Sequence, residues 1–150
     1  MKPKITLETL ESKPHEANAI KTEAKLTLGK SANVSVTVDE LNTAIAMKSG
    51  SLPVFATPSM VALMERAACE CLADCLEEGQ TSVGILINVE HTAASPVGAE
   101  ITATAAIESV FGRKIEFAVT ANDHAGEIGK GKHSRIIVDT ERFMKKAAAR

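Results

Sequence analysis

Three polar residues interrupt otherwise apolar segments, and their side chains are those that acyl-transfer chemistry requires. Thr57 offers a hydroxyl, Glu65 a carboxylate and His91 an imidazole. A hydroxyl nucleophile needs an adjacent base, which an imidazole often supplies. Thr57 and Glu65 are eight residues apart, which is a rise of about 12 Å along a helix. Their side chains therefore meet only over a substrate, at an irregular helix start or across a subunit boundary.

Each of these residues also has an ordinary structural interpretation. Thr57 is a good helix N-cap, because its oxygen can accept a hydrogen bond from a backbone N–H of the first turn. Glu65 lies at the margin of an apolar helix face, where its carboxylate can reach water. His91 continues the apolar side of a strand, where a lone histidine usually bonds a backbone carbonyl. The spacing alone leaves the catalytic and the structural interpretations open.

Two further groups of residues have types suited to binding. His133 and Arg135 share one face of the last predicted strand and form either a cross-strand ion pair or a grip on an anionic substrate. Cys69, Cys71 and Cys75 fall within one predicted helix at spacings that suit a metal poorly. We expect small buried thiols there and no metal site.

The helix that holds Thr57 and Glu65 has the clearest pattern in the chain. Pro58 suits the first helical position and Gly79 suits a helix stop, so we predict a helix over residues 58–78. At 100° per residue its apolar side chains fall on one side and most of its charged side chains on the other. The apolar side must face a core.

The rest of the chain alternates with the period of strands. Valines 34, 36 and 38 alternate with polar residues, and residues 39–52 read as a loop with short helical turns. Further strands are predicted over 83–91, 101–111, 114–121 and 128–138, followed by a short helix over 141–149. Short connections favour antiparallel neighbours. The predicted fold class is α+β, an antiparallel sheet wrapped around one long helix.

Length and composition limit the possible functions. The chain has 150 residues, which fits one domain; we assign it to residues 24–150, after an N-terminal extension over 1–23 with a helical stretch near 5–10. The net charge of −2 and the aromatic content of 3% argue against a nucleic-acid partner. We find no membrane-spanning stretch and no apolar signal-peptide core, so we expect no membrane association. Three closely spaced cysteines favour the reducing cytoplasm.

Three segments of the sequence resemble the fluoroacetyl-CoA thioesterase-like family. They are the helix start VFATPSMVALME at 54–65, the strand and turn VGILINVEHTAASPVG at 83–98, and the last strand EIGKGKHSR at 127–135. The similarity covers roughly residues 30–145, and the spacing of the segments agrees. The resemblance implies a hot-dog fold and a homodimer, and it leaves open whether dimers pair into tetramers.

The resemblance also implies roles for individual residues. Thr57, Glu65 and His91 match the catalytic triad of the family, Gly84 a position whose backbone meets the acyl-thioester, and Arg135 a position near the substrate. The implied reaction is hydrolysis of an acyl-CoA to a carboxylic acid and free CoA, with no cofactor beyond the CoA of the substrate. It leaves open whether Thr57 or Glu65 carries an acyl group.

One segment departs from the pattern of the family. The fluoroacetyl-specific enzyme has a phenylalanine lid just before the helix start, whereas residues 46–52 here read AMKSGSL and contain no aromatic residue. We therefore expect a short, ordinary acyl-CoA as substrate rather than selectivity for fluorine. The alternative function is a non-catalytic hot-dog dimer that binds a CoA ester or another small ligand.

Overall fold

Five strands form an antiparallel sheet and a long helix packs against it in the computed structural model, which describes residues 25–150. The elements are β1 (Ser31–Thr37), α1 (Ala44–Met47), α2 (Thr57–Leu72), β2 (Gln80–His91), β3 (Glu100–Phe111), β4 (Lys114–Asp123), β5 (Gly126–Asp139) and α3 (Thr140–Ala148). The α+β prediction is confirmed. The predicted extension 1–23, its helical stretch and the domain boundary at residue 24 lie outside the described residues.

The strand order differs in one respect from the sequence prediction. The order is β1-β3-β4-β5-β2, so β3, β4 and β5 are consecutive neighbours as expected, but β2 pairs with β5 and not with β3. The expectation that β2 and β3 are neighbours is wrong, because residues 92–99 between them are not a tight hairpin and β1 occupies the place beside β3. As a result β2 forms one edge of the sheet.

The start of α2 also differs from the prediction. Ala56, in an extended conformation, is the N-cap residue, and Thr57 is already the first residue of the helix. Pro58 follows in the first turn, where its missing N–H costs no hydrogen bond. The prediction that Thr57 caps the helix is wrong, because its hydroxyl is hydrogen-bonded to another side chain, described below.

The helix is shorter than predicted and ends in a tighter turn. After Leu72 the chain forms a 3₁₀ turn over Ala73–Cys75, and Leu76 is already extended. Gly79 has φ of +82° and shapes the turn into β2, which therefore begins at Gln80. Residues 76–79 therefore reverse the direction of the chain and do not extend α2.

The core lies between α2 and one face of the sheet. It is mostly aliphatic, with Phe55 and Phe117 as its fully buried phenylalanine rings. The helix residues that face it are Met60, Leu63, Met64, Ala67, Ala68, Cys71 and Leu72. Alanines on both surfaces let the helix approach the sheet closely. Truncating a large core side chain such as Met64 to alanine costs about 2–5 kcal/mol.

Two expectations about α2 side chains need correction. Val61, expected on the apolar face, is only half-buried. Cys71 and Cys75 are buried free thiols as expected, whereas Cys69 is exposed. The buried side of α2 is therefore centred closer to Met60 and Leu63 than the spacing of 100° per residue predicted from the sequence.

The edge strand β2 contains a bulge. Gly84 pairs with Arg135 and Leu86 pairs with Ser134, so Ile85 is the extra residue. A regular period of two would place residues 83, 85, 87, 89 and 91 of the predicted strand on one face, but the bulge shifts the alternation. Ile85, Leu86 and Ile87 are 52%, 52% and 39% exposed, which leaves an apolar stretch on an edge strand.

Candidate active site

The first residue of α2 meets the last residue of β2. Thr57 Oγ1 lies 2.8 Å from His91 Nδ1, a hydrogen bond between a hydroxyl and an imidazole. The two side chains lie at the ends of their elements, where backbone N–H groups of the helix start are also free of intrahelical partners. We call this hydrogen-bonded couple the Thr57–His91 pair.

The other ring nitrogen of His91 makes no well-formed hydrogen bond among residues 25–150, although a backbone group of Ala93 lies near the ring. His91 Nε2 is buried and makes no hydrogen bond to any residue among 25–150. Burial lowers the pKa of His91 below the ordinary value of 6.5. The imidazole is therefore uncharged near neutral pH and able to take a proton from Thr57.

A cavity of about 280 Å³ opens beside the Thr57–His91 pair. Small side chains dominate its wall. Its lining residues are Ala44, Ser49, Val54, Phe55, Thr57, His91, Thr92, Ala93 and Ala94. A site of this size accommodates a small group next to the hydroxyl.

Glu65 belongs to a different cluster. Its Oε2 lies 3.5 Å from Nη1 of Arg135 on β5, which is 7% exposed at the side chain, whereas the side chain of Glu65 is 41% exposed. Arg135 also donates from Nε to Ser82 Oγ at 2.8 Å and from Nη2 to Ser82 O at 2.9 Å. The guanidinium is thus fixed on β2, and the carboxylate is partly open to solvent.

Gly84 lies directly against this ion pair. A Cβ on Gly84 would lie 3.0 Å from Glu65 Oε2, 3.2 Å from His133 Cε1 and 3.3 Å from Arg135 Nη1. The missing side chain therefore lets the β2 backbone approach three functional groups at once. We call Glu65, Ser82, Gly84, His133 and Arg135 the Arg135 cluster; a cavity of about 220 Å³ opens beside it.

The predicted site residues thus fall into two sets within one subunit. The Thr57–His91 pair is one, and Glu65, Gly84 and Arg135 belong to the other. The ion pair of Arg135 is with a helix carboxylate and not with a charged residue on a neighbouring strand, where its partner is Ser82. Ser82 was missed, because a serine on an exposed strand carries no signal in a sequence.

Neither set has the composition of a metal centre. Across residues 25–150, His, Cys, Asp and Glu side chains do not gather in groups of three or more that could hold a metal ion. Among the helices described, none combines the length and the apolar character needed to cross a membrane.

Sequence comparison places the chain among known proteins. The profile of the fluoroacetyl-CoA-specific thioesterase family, FlK, matches residues 38–141. This chain belongs to that family. A fluoroacetyl-CoA thioesterase from Streptantibioticus cattleyicolor is 46% identical over 93 residues, which are 62% of this chain and 67% of that protein.

Solved structures agree with this assignment. The fluoroacetyl-CoA thioesterase FlK superposes with a TM-score of 0.78 at 37% identity, covering 83% of this chain and 96% of that one. A hot-dog-like protein from Thermanaerovibrio acidaminovorans gives a TM-score of 0.78 at 23% identity, covering 85% and 94%. The predicted hot-dog fold is therefore confirmed.

Proposed function

We propose that this protein hydrolyses short-chain acyl-CoA thioesters to a carboxylate and CoA. The observation that carries the proposal is the 2.8 Å hydrogen bond between the Thr57 hydroxyl and the His91 imidazole, in a chain of the fluoroacetyl-CoA thioesterase family. A hydroxyl bonded to an uncharged imidazole is the arrangement that activates an oxygen nucleophile.

Acyl transfer to Thr57 is the first chemical step. The Thr57 oxygen attacks the thioester carbonyl carbon while its proton passes to His91 Nδ1. The carbon–sulfur bond then breaks, and the CoA sulfur leaves with the proton from His91. A water molecule then attacks the acyl-threonine and gives one proton to His91. The bond between the acyl carbon and the Thr57 oxygen breaks, His91 returns the proton to that oxygen, and the carboxylic acid is released.

Backbone groups supply the stabilisation of the oxyanion. Thr57 and Ser59 lie in the first turn of α2, where N–H groups have no intrahelical acceptor. The positive end of the helix dipole adds to their effect on a developing negative charge. Gly84 is exposed and has no side chain of its own, so its backbone, in the Arg135 cluster of a second subunit, is suited to contact the thioester.

Glu65 acts on the Thr57–His91 pair of a second subunit. Within one subunit about 12 Å of helix separates Glu65 from Thr57, which is too far for direct contact. A carboxylate from the partner, placed at the open side of the pair, stabilises by its charge the imidazolium formed when Thr57 loses its proton.

The same arrangement requires a homodimer. The exposed apolar residues Ile85, Leu86 and Ile87 lie on edge strand β2, next to the Arg135 cluster. A two-fold contact there covers the apolar edge and brings each cluster to the other subunit, so one interface completes two sites. The proposal needs a dimer and no larger assembly.

The acyl group is small. The cavity beside Thr57 has a volume of about 280 Å³, and residues 46–52 provide no aromatic lid. The cavity therefore suits short acyl chains, and the enzyme does not require fluorine in its substrate.

The three cysteines are free thiols, which suits the reducing cytoplasm.

A thiol-release screen tests the function. Purified protein is assayed with acyl-CoA esters of increasing chain length, with Thr57→Ala and Glu65→Gln as controls. We expect release of CoA with short acyl chains and loss of most turnover in both variants. Tight binding by calorimetry without any product would instead establish the binding-only alternative, and sedimentation at dilute concentration as a monomer would contradict the dimer.

A further inference from the structure

We propose that His133 is a positioning residue of the thioesterase site: its uncharged ring holds the Arg135 guanidinium against Glu65 and so fixes the carboxylate. The inference rests on the proposed role of Glu65 in catalysis. We assign His133 no contact with the substrate or the reacting atoms, so its effect passes through Arg135.

The hydrogen bonds of His133 define one tautomer. Nδ1 lies 2.7 Å from the carbonyl oxygen of Leu86, which can only accept, so Nδ1 carries the proton. Nε2 lies 3.2 Å from Arg135 Nη1, which can only donate, so Nε2 offers its lone pair. A protonated ring would lose the second hydrogen bond and set a positive charge against the guanidinium.

Two of the three guanidinium nitrogens of Arg135 bond Ser82, so Nη1 is the nitrogen that His133 fixes. Nε and Nη2 both bond Ser82, so that side of the guanidinium is tied to β2. Nη1 is shared between His133 Nε2 at 3.2 Å and Glu65 Oε2 at 3.5 Å. Without His133, Nη1 loses its hydrogen bond within the subunit, and the carboxylate loses a fixed partner.

The surroundings of His133 make it rigid and uncharged. The residue is 1% exposed, and its ring stacks with Phe117 of β4 at a centroid distance of 6.2 Å. The charged groups facing it are Arg135 of β5 and Glu65 of α2, while β2 contributes the Leu86 carbonyl. Burial, with a smaller contribution from Arg135, lowers the pKa of His133.

His133 also ties the cluster to the edge strand. Leu86 follows directly after the bulge at Ile85, so the hydrogen bond from Nδ1 holds the bulged backbone. The same bulge carries the apolar residues of the proposed dimer contact. The position of Glu65 is therefore coupled to the edge that faces the partner subunit.

Paired substitutions test this role. His133→Phe keeps a flat ring against Phe117 but removes both hydrogen bonds, whereas His133→Gln keeps an amide oxygen that can accept from Arg135. We expect His133→Phe to lower kcat by about 10- to 100-fold with little change in KM, and His133→Gln to recover much of it. His124→Phe, at an exposed turn, is the matched control.

A double-mutant cycle separates positioning from general destabilisation. In an Arg135→Gln background, His133→Phe should have almost no further effect on kcat, because its partner is gone. An equal fold-loss in both backgrounds, or no recovery in a folded His133→Gln protein, would overturn the proposal.

The wild-type protein offers an independent readout. Nitrogen-15 chemical shifts of the His133 ring at neutral pH should report an uncharged ring protonated at Nδ1, and a shift typical of imidazolium or of the other tautomer would overturn the proposal. If wild-type protein released no CoA from any acyl-CoA, the proposed function would fail, while the ring shifts would still decide the tautomer.

Discussion

The two halves of the candidate site are built in opposite ways. The Thr57–His91 pair lies where a helix begins and a strand ends, beside a cavity, and buried His91 Nε2 has no acceptor among residues 25–150. In the Arg135 cluster the guanidinium lies inside strand pairing, and each of its nitrogens is bonded to Ser82 or His133. The hydrogen bonding of the Thr57–His91 pair is therefore incomplete, whereas the guanidinium of the Arg135 cluster is fixed in place.

This difference separates two tasks of a catalytic site. A reactive hydroxyl and its base need an open side to admit a substrate, so they lie at element ends. A charged group that must be in position before the reaction needs surroundings that do not rearrange during the reaction. In the proposed dimer, Glu65, whose side chain is 41% exposed and bound by Arg135, links the fixed half to the open half of the other subunit.

The largest effect is expected for the open half. Thr57→Ala removes the proposed nucleophile and should lower kcat by about 10²–10⁴-fold, as loss of a catalytic group does. Thr57→Ser keeps a hydroxyl and should retain most of the activity. Steady-state assays measure both, with Thr104→Ala, on β3 and bonded to Asn33, as control. Full activity in Thr57→Ala would remove Thr57 from the chemistry.

A mixing experiment tests whether the two halves come from different subunits. Thr57→Ala and Glu65→Gln proteins, each nearly inactive, are denatured together and refolded. Half of the dimers are then mixed, and each mixed dimer has one complete site, so about a quarter of wild-type activity should return. No gain above the separate proteins would place both groups in the same subunit.

Gly84 and Gly131 distinguish the site from the fold. A Cβ on Gly84 meets the ends of the Glu65 and Arg135 side chains, so Gly84→Ala should fold but lose about tenfold in kcat/KM. A Cβ on Gly131 meets the backbone of Asn88 and Val89, so Gly131→Ala should lower stability first. Thermal unfolding and activity of both variants measure this contrast, and wild-type activity in Gly84→Ala would contradict it.

The smallest expected effect is on the pH dependence of stability. Burial lowers the pKa of both His91 and His133 in the folded chain, while the unfolded chain takes up protons near pH 6.5. The unfolded state therefore binds more protons below that pH, and stability should fall as the pH drops from about 6.5 towards 5.

Urea unfolding at several pH values measures this slope. His133→Phe should flatten it, whereas His124→Phe, at an exposed turn, should leave it unchanged. Carboxyl groups with lowered pKa, such as Asp123, titrate at lower pH and do not obscure the window. A stability that stays constant or rises on acidification would contradict the assignment of two uncharged buried histidines.

Local patterns predicted most of the elements. The period of two located the strands, the amphipathic period located α2, and the turn at Gly112 and Arg113 made β3 and β4 neighbours. The neighbour of β2 was not predictable in this way, since an eight-residue connection, 92–99, constrains pairing weakly. The bulge at Ile85 was also missed, because an extra residue leaves no mark on an apolar run.

The sequence by itself determined which chemical groups are present and which elements carry them. The hydroxyl, carboxylate and imidazole of residues 57, 65 and 91 and the resemblance of their segments to a thioesterase family were readable from the chain alone. Only the tertiary structure decided their grouping: Thr57 bonds His91, while Glu65 bonds Arg135 beside Gly84. The reason is physical, since hydrogen bonds depend on distances below about 3.5 Å, and strand order and register set those distances.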